Sequence, residues 1–339
     1  MKTSSISSYI TNFLSVYLPT QRNVSQNTIF SYCDAFRLFL TYCRDQRGIA
    51  PERFSIEQFD SSLVGGFLGW LETERGCGVS TRNQRQAAIQ SFSRYVLVEA
   101  PQYMTACQKI LQIPIKKKPH PTVHYLTTND MQLLLSLPDT AKGSGKRDLV
   151  LLSVLYDTGA RVQEIVDLTI RDIRLDAPAH VHLTGKGRKS RDIPLLSQTA
   201  NLIKEYLDEY HLNTRENLSH PLFKNRHGNQ LTRSGIAYIL KKYAVTVSKQ
   251  SPLMSQNITP HTLRHTKAMH LLQAGVHLVY IRDILGHVDV ATTGIYAKAD
   301  TEMKRKALEK AGSIIPVDGP SWSKDAELIN WLKNFGKNK

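Results

Sequence analysis

The first hundred residues carry apolar side chains at the spacing of a helix. Across residues 29–43 they recur every three or four positions, which places them along one helical face. Asp60 is a suitable N-cap for a second helix that stops near Gly76, and Ser80 begins a third. No alternating pattern typical of a strand is visible before residue 114. This part of the chain therefore predicts a small helical bundle.

The pattern after residue 122 combines helices with one β-hairpin. Val181 and Leu183 alternate with two histidines, the sequence GKGRK supplies a turn, and the chain returns through Ile193, so we predict a hairpin over residues 179–194. Apolar periodicity and capping residues predict helices at about 148–156, 198–211, 234–247, 260–274 and 277–285. The predicted fold class is mainly α (α+β): a helical bundle followed by a mixed α/β domain with a small sheet.

A proline- and lysine-rich segment, PIKKKPHP, separates these two patterns at residues 114–121. Its prolines cannot continue a helix and its lysines have nothing to bury, so we predict an extended linker. The resulting domains are a helical one at 1–113 and a mixed one at 122–311. The tail at 312–339 contains a last apolar helix, for which Ser323 is a suitable cap.

The charge of the chain indicates a polyanionic partner. Its 339 residues include 44 Lys and Arg against 29 Asp and Glu, a formal net charge of +15. A basic surplus of this size most often serves nucleic-acid binding. Lys116, Lys117 and Lys118 of the linker form either a solvated hinge or a contact with a phosphate backbone, and we favour the second interpretation for a DNA-binding chain.

Two other features restrict the class of protein. No run approaches the roughly 18 apolar residues that cross a bilayer, and the N-terminus lacks the layout of a secretion signal. We therefore expect a cytoplasmic protein with no membrane partner. The four cysteines form no CxxC pair, and small buried thiols in a reducing compartment account for them better than a disulfide or zinc does.

The helix that begins at Ser80 is a candidate for contact with DNA. Its early turns carry the run RNQRQ, whose side chains suit both phosphates and base edges. We select Arg82, Asn83 and Arg85 as candidate DNA contacts, together with Arg188 in the hairpin turn. The alternative is that these residues form only a solvated polar face.

The sequence TGAR places Arg161 where one helix ends and the next begins. Gly159 stops the first helix, so the guanidinium projects from a turn. Glu164 follows three residues later, close enough to orient it. Standing alone, such an Arg–Glu pair is usually a surface ion pair that contributes little to the stability of the fold.

The sequence TPHTLRH has the features of an anion site at a helix N-terminus. Thr259 is a good N-cap, and the first turn then carries His261 and Arg264 on one face. The helix dipole and unpaired backbone N–H groups also favour an anion there. A zinc site at His261 and His265 is the alternative, but the HExxH motif needs a glutamate where this chain has threonine. His265 is predicted to be a buried structural residue.

The last element of the pattern is a tyrosine. LGH ends at His287, and Tyr296 follows nine residues later. A lone tyrosine on a helix is ordinarily a half-buried core residue. Its position after TGAR, HTLRH and LGH is what marks Tyr296 as a candidate nucleophile, because a phenol needs positive charge at the reacting centre.

In these motifs the chain resembles the tyrosine recombinase (phage-integrase) family, in its Xer-like and transposon-integrase branch without an arm-binding domain. The resemblance covers roughly residues 5–300. It implies one active site, with Glu164 in a supporting role and the following catalytic residues: Arg161, Lys186, His261, Arg264, His287 and Tyr296. Lys189 is a nearby alternative to Lys186, which occupies the family's hairpin position.

The resemblance further implies a site-specific recombinase acting through a 3′-phosphotyrosyl intermediate and a Holliday junction. It needs no metal or other cofactor, because the phosphotyrosyl ester conserves the bond energy. Its partners would be double-stranded DNA with inverted-repeat core sites and three further copies, forming a homotetramer on two duplexes through exchange of the C-terminal helix. A tail helix folded on its own domain is the alternative. Two other functions stay open: a type IB topoisomerase-like nicking enzyme and a catalytically silent DNA-binding accessory protein.

Overall fold

The computed structural model divides the chain into two compact units, Met1–Pro121 and Thr122–Lys339. The residues it describes are 5–118, 123–185, 187, 189–250, 258–286, 293–296 and 326–335. Several predicted features lie outside the described residues, namely Lys186, Arg188, His287, Ser323 and the domain end at 311. The domain bounds assigned from the sequence stay predictions.

The N-terminal unit is helical throughout its described length. Its α-helices are α1 (Ile6–Asn12), α2 (Gln26–Arg47), α3 (Ser61–Thr73), α4 (Val79–Glu99) and α5 (Met104–Leu111). A π-helical segment, Phe13–Gln21, continues α1, and short 3-10 turns occur at Pro51–Arg53, Ile56–Gln58 and Pro101–Tyr103. As predicted, Asp60 caps α3, accepting a hydrogen bond of 2.8 Å from the backbone N–H of Leu63. Helices α1 and α5 were not predicted.

Aromatic side chains fill the core of this unit. The ring of Phe92 on α4 lies edge-on to Phe36 on α2, with centroids 5.1 Å apart, and also contacts Phe13 and Phe59. Edge-on ring pairs of this kind stabilise by about 0.5–1.5 kcal/mol beyond the burial of their area. The bundle therefore has its own hydrophobic core.

The C-terminal unit combines helices with a small sheet. Its α-helices are α6 (Thr128–Ser136), α7 (Gly143–Thr158), α8 (Val162–Val166), α9 (Ser197–Glu209), α10 (Arg233–Gln250), α11 (Pro260–Gln273), α12 (Leu278–Leu285) and α13 (Ala326–Asn334). Short 3-10 turns occur at Ile170–Asp172 and Arg215–Asn217. Among the described residues of both units, no helix is long and apolar enough to span a membrane.

The sheet has three antiparallel strands in the order β1 (Ile173–Arg174), β2 (His180–Thr184) and β3 (Ser190–Pro194). The predicted hairpin is confirmed as β2 and β3, whose register pairs Val181 with Ile193 and Leu183 with Arg191. Val181 and Leu183 are buried in the core, as their alternation predicts. Strand β1 escaped prediction because two residues are too few to show a period.

Two glycine turns bring the ends of α7 and α12 together. Gly159 follows α7 with φ of 57° and Gly286 follows α12 with φ of 64°, the left-handed conformation that glycine adopts without strain. A Cβ on Gly159 would lie only 2.6 Å from Cδ2 of Leu285, the last residue of α12. The backbone carbonyls at these two helix ends are therefore close neighbours.

Candidate active site

Arg161 projects from the turn between α7 and α8, as the sequence predicts. It is the N-cap of α8, and its Nη1 donates to Oε1 of Glu164 at 2.8 Å while its backbone N–H donates to Oε2 at 2.9 Å. Its Nη2 donates to the carbonyl of Gly286 at 2.9 Å. The side chain of Glu164 is only 2% exposed, whereas that of Arg161 is 35% exposed. This is therefore a partly buried, charge-assisted pair that leaves one side of the guanidinium open.

Arg264 lies in the first turn of α11, which Thr259 caps and Pro260 begins, as predicted. The residue is 2% exposed, and its Nη1 and Nη2 donate to the carbonyls of Gly159 at 2.7 Å and Leu285 at 2.6 Å. Burial, followed by the charge of Arg161, lowers the pKa of Arg264 to about 10. The guanidinium still carries its charge at neutral pH.

The two guanidiniums meet at one place in the fold. Leu285 and Gly286 are consecutive, and their carbonyls accept from Arg264 and Arg161 respectively. A pair of guanidiniums fixed side by side offers planar N–H donors to the oxygens of a phosphate. The structure thus brings together two residues that lie about a hundred positions apart in the chain.

His261 stands beside this pair, with part of its side chain exposed to solvent and part covered by protein. Partial burial of its ring, and then the charges of Arg264 and Arg161, lower the pKa of His261 below its ordinary value. A neutral imidazole is able to accept a proton. Its ring lies edge-on to that of His265, with centroids 4.6 Å apart.

Tyr296 is buried next to His265. It belongs to a helical turn at 293–296, is 1% exposed, and packs in a cluster with Met269 and Leu285. Its hydroxyl lies 2.9 Å from Nδ1 of His265. Burial raises the pKa of the Tyr296 phenol, and the positive charge of Arg264 opposes that rise. The candidate nucleophile is therefore hydrogen-bonded and sequestered.

The contact with Tyr296 corrects the sequence-based interpretation of His265. His265 is only partly buried. Its role is not confined to the core, because its ring nitrogen Nδ1 lies within hydrogen-bond distance of the Tyr296 hydroxyl. Burial, and then the charges of His261 and Arg264, lower the pKa of His265 to about 4, so the imidazole is neutral at pH 7. The i, i+4 spacing that suggested zinc does bring the rings of His261 and His265 together, and of the two it is His265 that contacts the phenol.

Sequence reasoning missed Arg191 on β3. Its Nη1 and Nη2 donate to Oε1 and Oε2 of Glu164 at 3.1 and 2.8 Å, so that one buried carboxylate serves both Arg191 and Arg161. Burial alone would raise the pKa of Glu164, but hydrogen bonds and charge from Arg191 and Arg161 bring it below its ordinary value. The sequence carries no local signal for Arg191, because its need arises from the burial of Glu164, which only the structure shows.

The remaining predicted catalytic residues lie outside the described part of the chain. Lys186 and His287 have no described position, and their roles stay predictions. The flanking residues are described: Gly185 donates its backbone N–H to the carbonyl of Lys189 at 2.8 Å, and Gly286 ends α12. Lys189, the alternative to Lys186, is exposed.

The residues predicted to contact DNA from the N-terminal unit divide into two groups. Arg82 and Asn83 are each 6% exposed: Arg82 donates to Asn83 at 3.1 Å, and the amide of Asn83 donates to the carbonyl of Lys116 at 2.8 Å. The burial of these two side chains does not support contact with DNA. Asn83 instead holds the backbone of Lys116, where the chain leaves the bundle. The lysines at 116–118 are exposed, and Lys116 pairs with Glu72 at 2.7 Å.

Arg85 is intermediate in burial between the buried Arg82 and Asn83 and the exposed lysines. It is partly buried, and its Nη1 donates to the carbonyl of Ser31 at 3.0 Å. The polar face of α4 therefore faces the protein more than the sequence suggested. Arg188, the other predicted contact, lies outside the described residues.

Comparisons with known proteins identify the family of this chain. The profile of the phage integrase family matches residues 124–303, and that of the phage integrase N-terminal SAM-like domain matches residues 10–100. A protein of Sinorhizobium fredii named as an integrase/recombinase, y4rC, is 37% identical over 337 residues, which cover 98% of this chain and 99% of that protein. Tyrosine recombinase XerD of Listeria monocytogenes is 33% identical over 302 residues, 87% of this chain and 95% of its own.

A solved structure of a recombinase is also similar to this chain. The XerH site-specific recombinase, bound to its difH substrate in a pre-cleavage complex, is similar with a TM-score of 0.64 and 26% identity, over 89% of this chain and 83% of that one. Taken together, these matches define an enzyme that cleaves and rejoins DNA. The chain belongs to the phage integrase family, the tyrosine recombinases.

Proposed function

We propose that this chain is a site-specific recombinase that exchanges strands of double-stranded DNA through a covalent bond between Tyr296 and a 3′ phosphate. The observation that supports it best is the convergence of Arg161 and Arg264 on the consecutive carbonyls of Leu285 and Gly286. The phenol of Tyr296 lies within the field of Arg264, and the charge of each affects the pKa of the other.

The reaction begins when the phenol oxygen of Tyr296 attacks a backbone phosphorus. A bond forms between that oxygen and phosphorus, the bond from phosphorus to the 5′ oxygen breaks, and His261 accepts the phenol proton. Arg161 and Arg264 bind the two non-bridging oxygens, where negative charge grows in the transition state. Lys186 is proposed to protonate the departing 5′ oxygen and His287 to donate to a non-bridging oxygen, as the sequence predicts.

The second half of the reaction reverses the first with another strand. The 5′-hydroxyl of a partner duplex gives its proton to Lys186 and attacks the phosphotyrosyl ester. The new phosphodiester forms, the bond from phosphorus to the phenol oxygen breaks, and His261 returns the proton to Tyr296. One ester replaces another at each step, so bond energy is conserved and the exchange runs without ATP. Two successive exchanges pass through a Holliday junction.

We further propose that four copies act on two duplexes whose core sites are inverted repeats. The support from this chain is α13 together with Phe335, the residue that follows it. The apolar side chains there are 37–71% exposed: Ile329, Trp331, Leu332 and Phe335. An apolar helix left uncovered on one chain suits docking into a neighbouring copy. Similarity to XerD and XerH favours recombination over a topoisomerase-like activity, which would need no such contact.

A selection experiment tests this function and identifies the DNA site at the same time. The full chain is incubated with a pool of duplexes that have a random core and one nick, since loss of the short nicked fragment traps the covalent adduct. Adducts that survive detergent are isolated, sequenced and reselected to give one captured duplex. We expect adducts from the wild type and none from Tyr296→Phe, which retains the ring of the buried side chain. Equal adduct formation by both proteins would refute the assignment of Tyr296.

The captured duplex then separates the two enzymatic functions. Two copies of it on differently labelled DNA should yield recombinant strands in which the labels are joined. Relaxation of a supercoiled plasmid carrying the site, with no recombinant strands at any protein concentration, would instead establish the topoisomerase-like activity.

A further inference from the structure

Arg191 connects three separate elements of the C-terminal unit. It lies on β3, its side chain is 13% exposed, and it pairs across the hairpin with Leu183. Its guanidinium donates through both terminal nitrogens to Glu164 on α8. Its Nε donates to the carbonyl of Ile284, in the last turn of α12, at 2.8 Å. One side chain therefore joins the hairpin to α8 and to the end of α12.

The contact with Glu164 fixes the carboxylate that orients Arg161. Glu164 accepts from Nη1 and the backbone N–H of Arg161 on one side and from both terminal nitrogens of Arg191 on the other. A two-pronged guanidinium–carboxylate pair sets the plane of the carboxylate as well as its distance. Without Arg191, the carboxylate keeps only the two hydrogen bonds from Arg161 and is held less firmly.

The contact with Ile284 fixes the second support of Arg161. The carbonyl of Gly286, two residues after Ile284, receives Nη2 of Arg161. The carbonyls at a helix C-terminus have no partner within the helix, so an outside donor there decides how the terminus is held. The packing is close, because a Cβ on Gly286 would lie 2.9 Å from Nη1 of Arg191.

We propose that Arg191 is a positioning residue for strand cleavage: it holds Arg161 from both sides, through Glu164 and through the end of α12, without itself touching DNA. This inference rests on the proposed function, in which Arg161 binds the scissile phosphate. Its effect should fall on the rate of cleavage by bound enzyme, because Arg161 acts at the one phosphate where negative charge grows in the transition state.

The test uses Arg191→Lys in the full chain, with Arg147→Lys as the matched control. Arg147 is also a partly buried arginine of this unit, with a side chain that is 16% exposed. It donates from Nε and Nη2 to Asp148, and its Nη1 donates to the carbonyl of Lys224 at 3.0 Å. Both substitutions keep the charge and lose the planar fork. Loss of stability alone should therefore affect the two variants alike.

For both variants, two quantities are measured on the captured duplex: the dissociation constant, and the single-turnover rate of covalent adduct formation at saturating DNA. We expect Arg191→Lys to cleave about 10- to 100-fold more slowly, since a displacement of about 1 Å at a reacting centre costs on the order of a hundredfold. Its dissociation constant should stay within about twofold of wild type. Arg147→Lys should match wild type in both quantities.

Hydrogen exchange of the DNA-free protein supplies a readout that does not depend on activity. Peptides covering residues 159–166 and 278–286 should exchange faster in Arg191→Lys and not in Arg147→Lys. Exchange unchanged in these peptides, or a cleavage rate equal to that of the control, would overturn the proposal. So would a parallel loss of DNA affinity, which would identify Arg191 as a DNA contact.

The two proposals fail in different ways. If the wild type forms no adduct with any duplex of the pool, the proposed function fails, while the exchange comparison still decides whether Arg191 holds α8 and the end of α12.

Discussion

The hydrogen bond between His265 and Tyr296 makes an unusual prediction, namely that its removal speeds cleavage. Tyr296 is 1% exposed, so its hydroxyl must leave this position before it reaches a phosphate in DNA. An interaction that is present in the resting state and absent in the transition state raises the barrier. His265→Phe removes the nitrogen that holds the phenol and preserves a ring of similar size between Tyr296 and His261.

The magnitude follows from the energy of one hydrogen bond. Such a bond contributes about 0.5–1.5 kcal/mol net, which corresponds to a rate increase of roughly 2- to 12-fold. If His265 were the general base instead, its loss would slow cleavage by about 10²- to 10⁴-fold. The two roles therefore differ in sign as well as in size.

The assay is single-turnover formation of the covalent adduct at saturating captured duplex. Tyr156→Phe is the control, because it breaks another tyrosine–histidine hydrogen bond. The Tyr156 hydroxyl on α7 lies 2.8 Å from Nδ1 of His270, which is on α11 like His265. We expect the control to cleave at the wild-type rate and His265→Phe to cleave faster. A fall of a hundredfold or more in His265→Phe, with unchanged DNA affinity, would refute the reasoning and identify His265 as the base.

Three further predictions follow from the described contacts. Glu164→Gln should lower the free energy of unfolding at pH 7 by about 3–5 kcal/mol, since it leaves two guanidiniums without their charged partner. Folding lowers the pKa of Glu164, so its ionised carboxylate stabilises the protein above the ordinary pKa of 4.5, and this stabilisation is lost as the pH falls below it. Chemical denaturation should therefore show the difference in free energy of unfolding between wild type and Glu164→Gln shrinking below about pH 4.5. Deletion of residues 323–339 should abolish complexes of two duplexes in a gel-shift assay and spare binding to one site; unchanged two-duplex complexes would contradict helix exchange. Gly286→Ala should cost about 1–2 kcal/mol for its left-handed backbone alone, measured by thermal unfolding, and more where the Cβ displaces Arg191; stability equal to wild type would contradict the close packing.

Local signals explain why much of the fold could be predicted. Thr259 and Pro260 start α11, and Gly159 ends α7, because caps and glycine turns act within a few residues of their position. The hairpin was predictable because its alternation and turn are contiguous. Arg161 and Glu164 were paired correctly since they lie three residues apart on one turn of chain.

Contacts between distant segments explain what was missed. The partners of Arg191 lie 27 and 93 positions away, so no spacing in the sequence points to them. Polar residues on a helix suggest a solvated face, yet Arg82 and Asn83 are buried because the outgoing chain lies over them. His265 looked structural for the same reason, as its partner Tyr296 is 31 positions away.

The contacts of the guanidiniums fix their positions in the protein without DNA. Each of the three guanidiniums, on Arg161, Arg191 and Arg264, donates to at least one carbonyl at the C-terminal end of α7 or α12. Backbone oxygens there lack partners within the helix, and the helix dipole is negative. The partial negative charges of these carbonyls stabilise the guanidiniums but do not neutralise them. Three guanidiniums and the carboxylate of Glu164 leave a net charge of two, counted over these four side chains. A phosphodiester carries one negative charge and its pentacovalent transition state carries two, so this preorganised charge favours the transition state over the bound substrate.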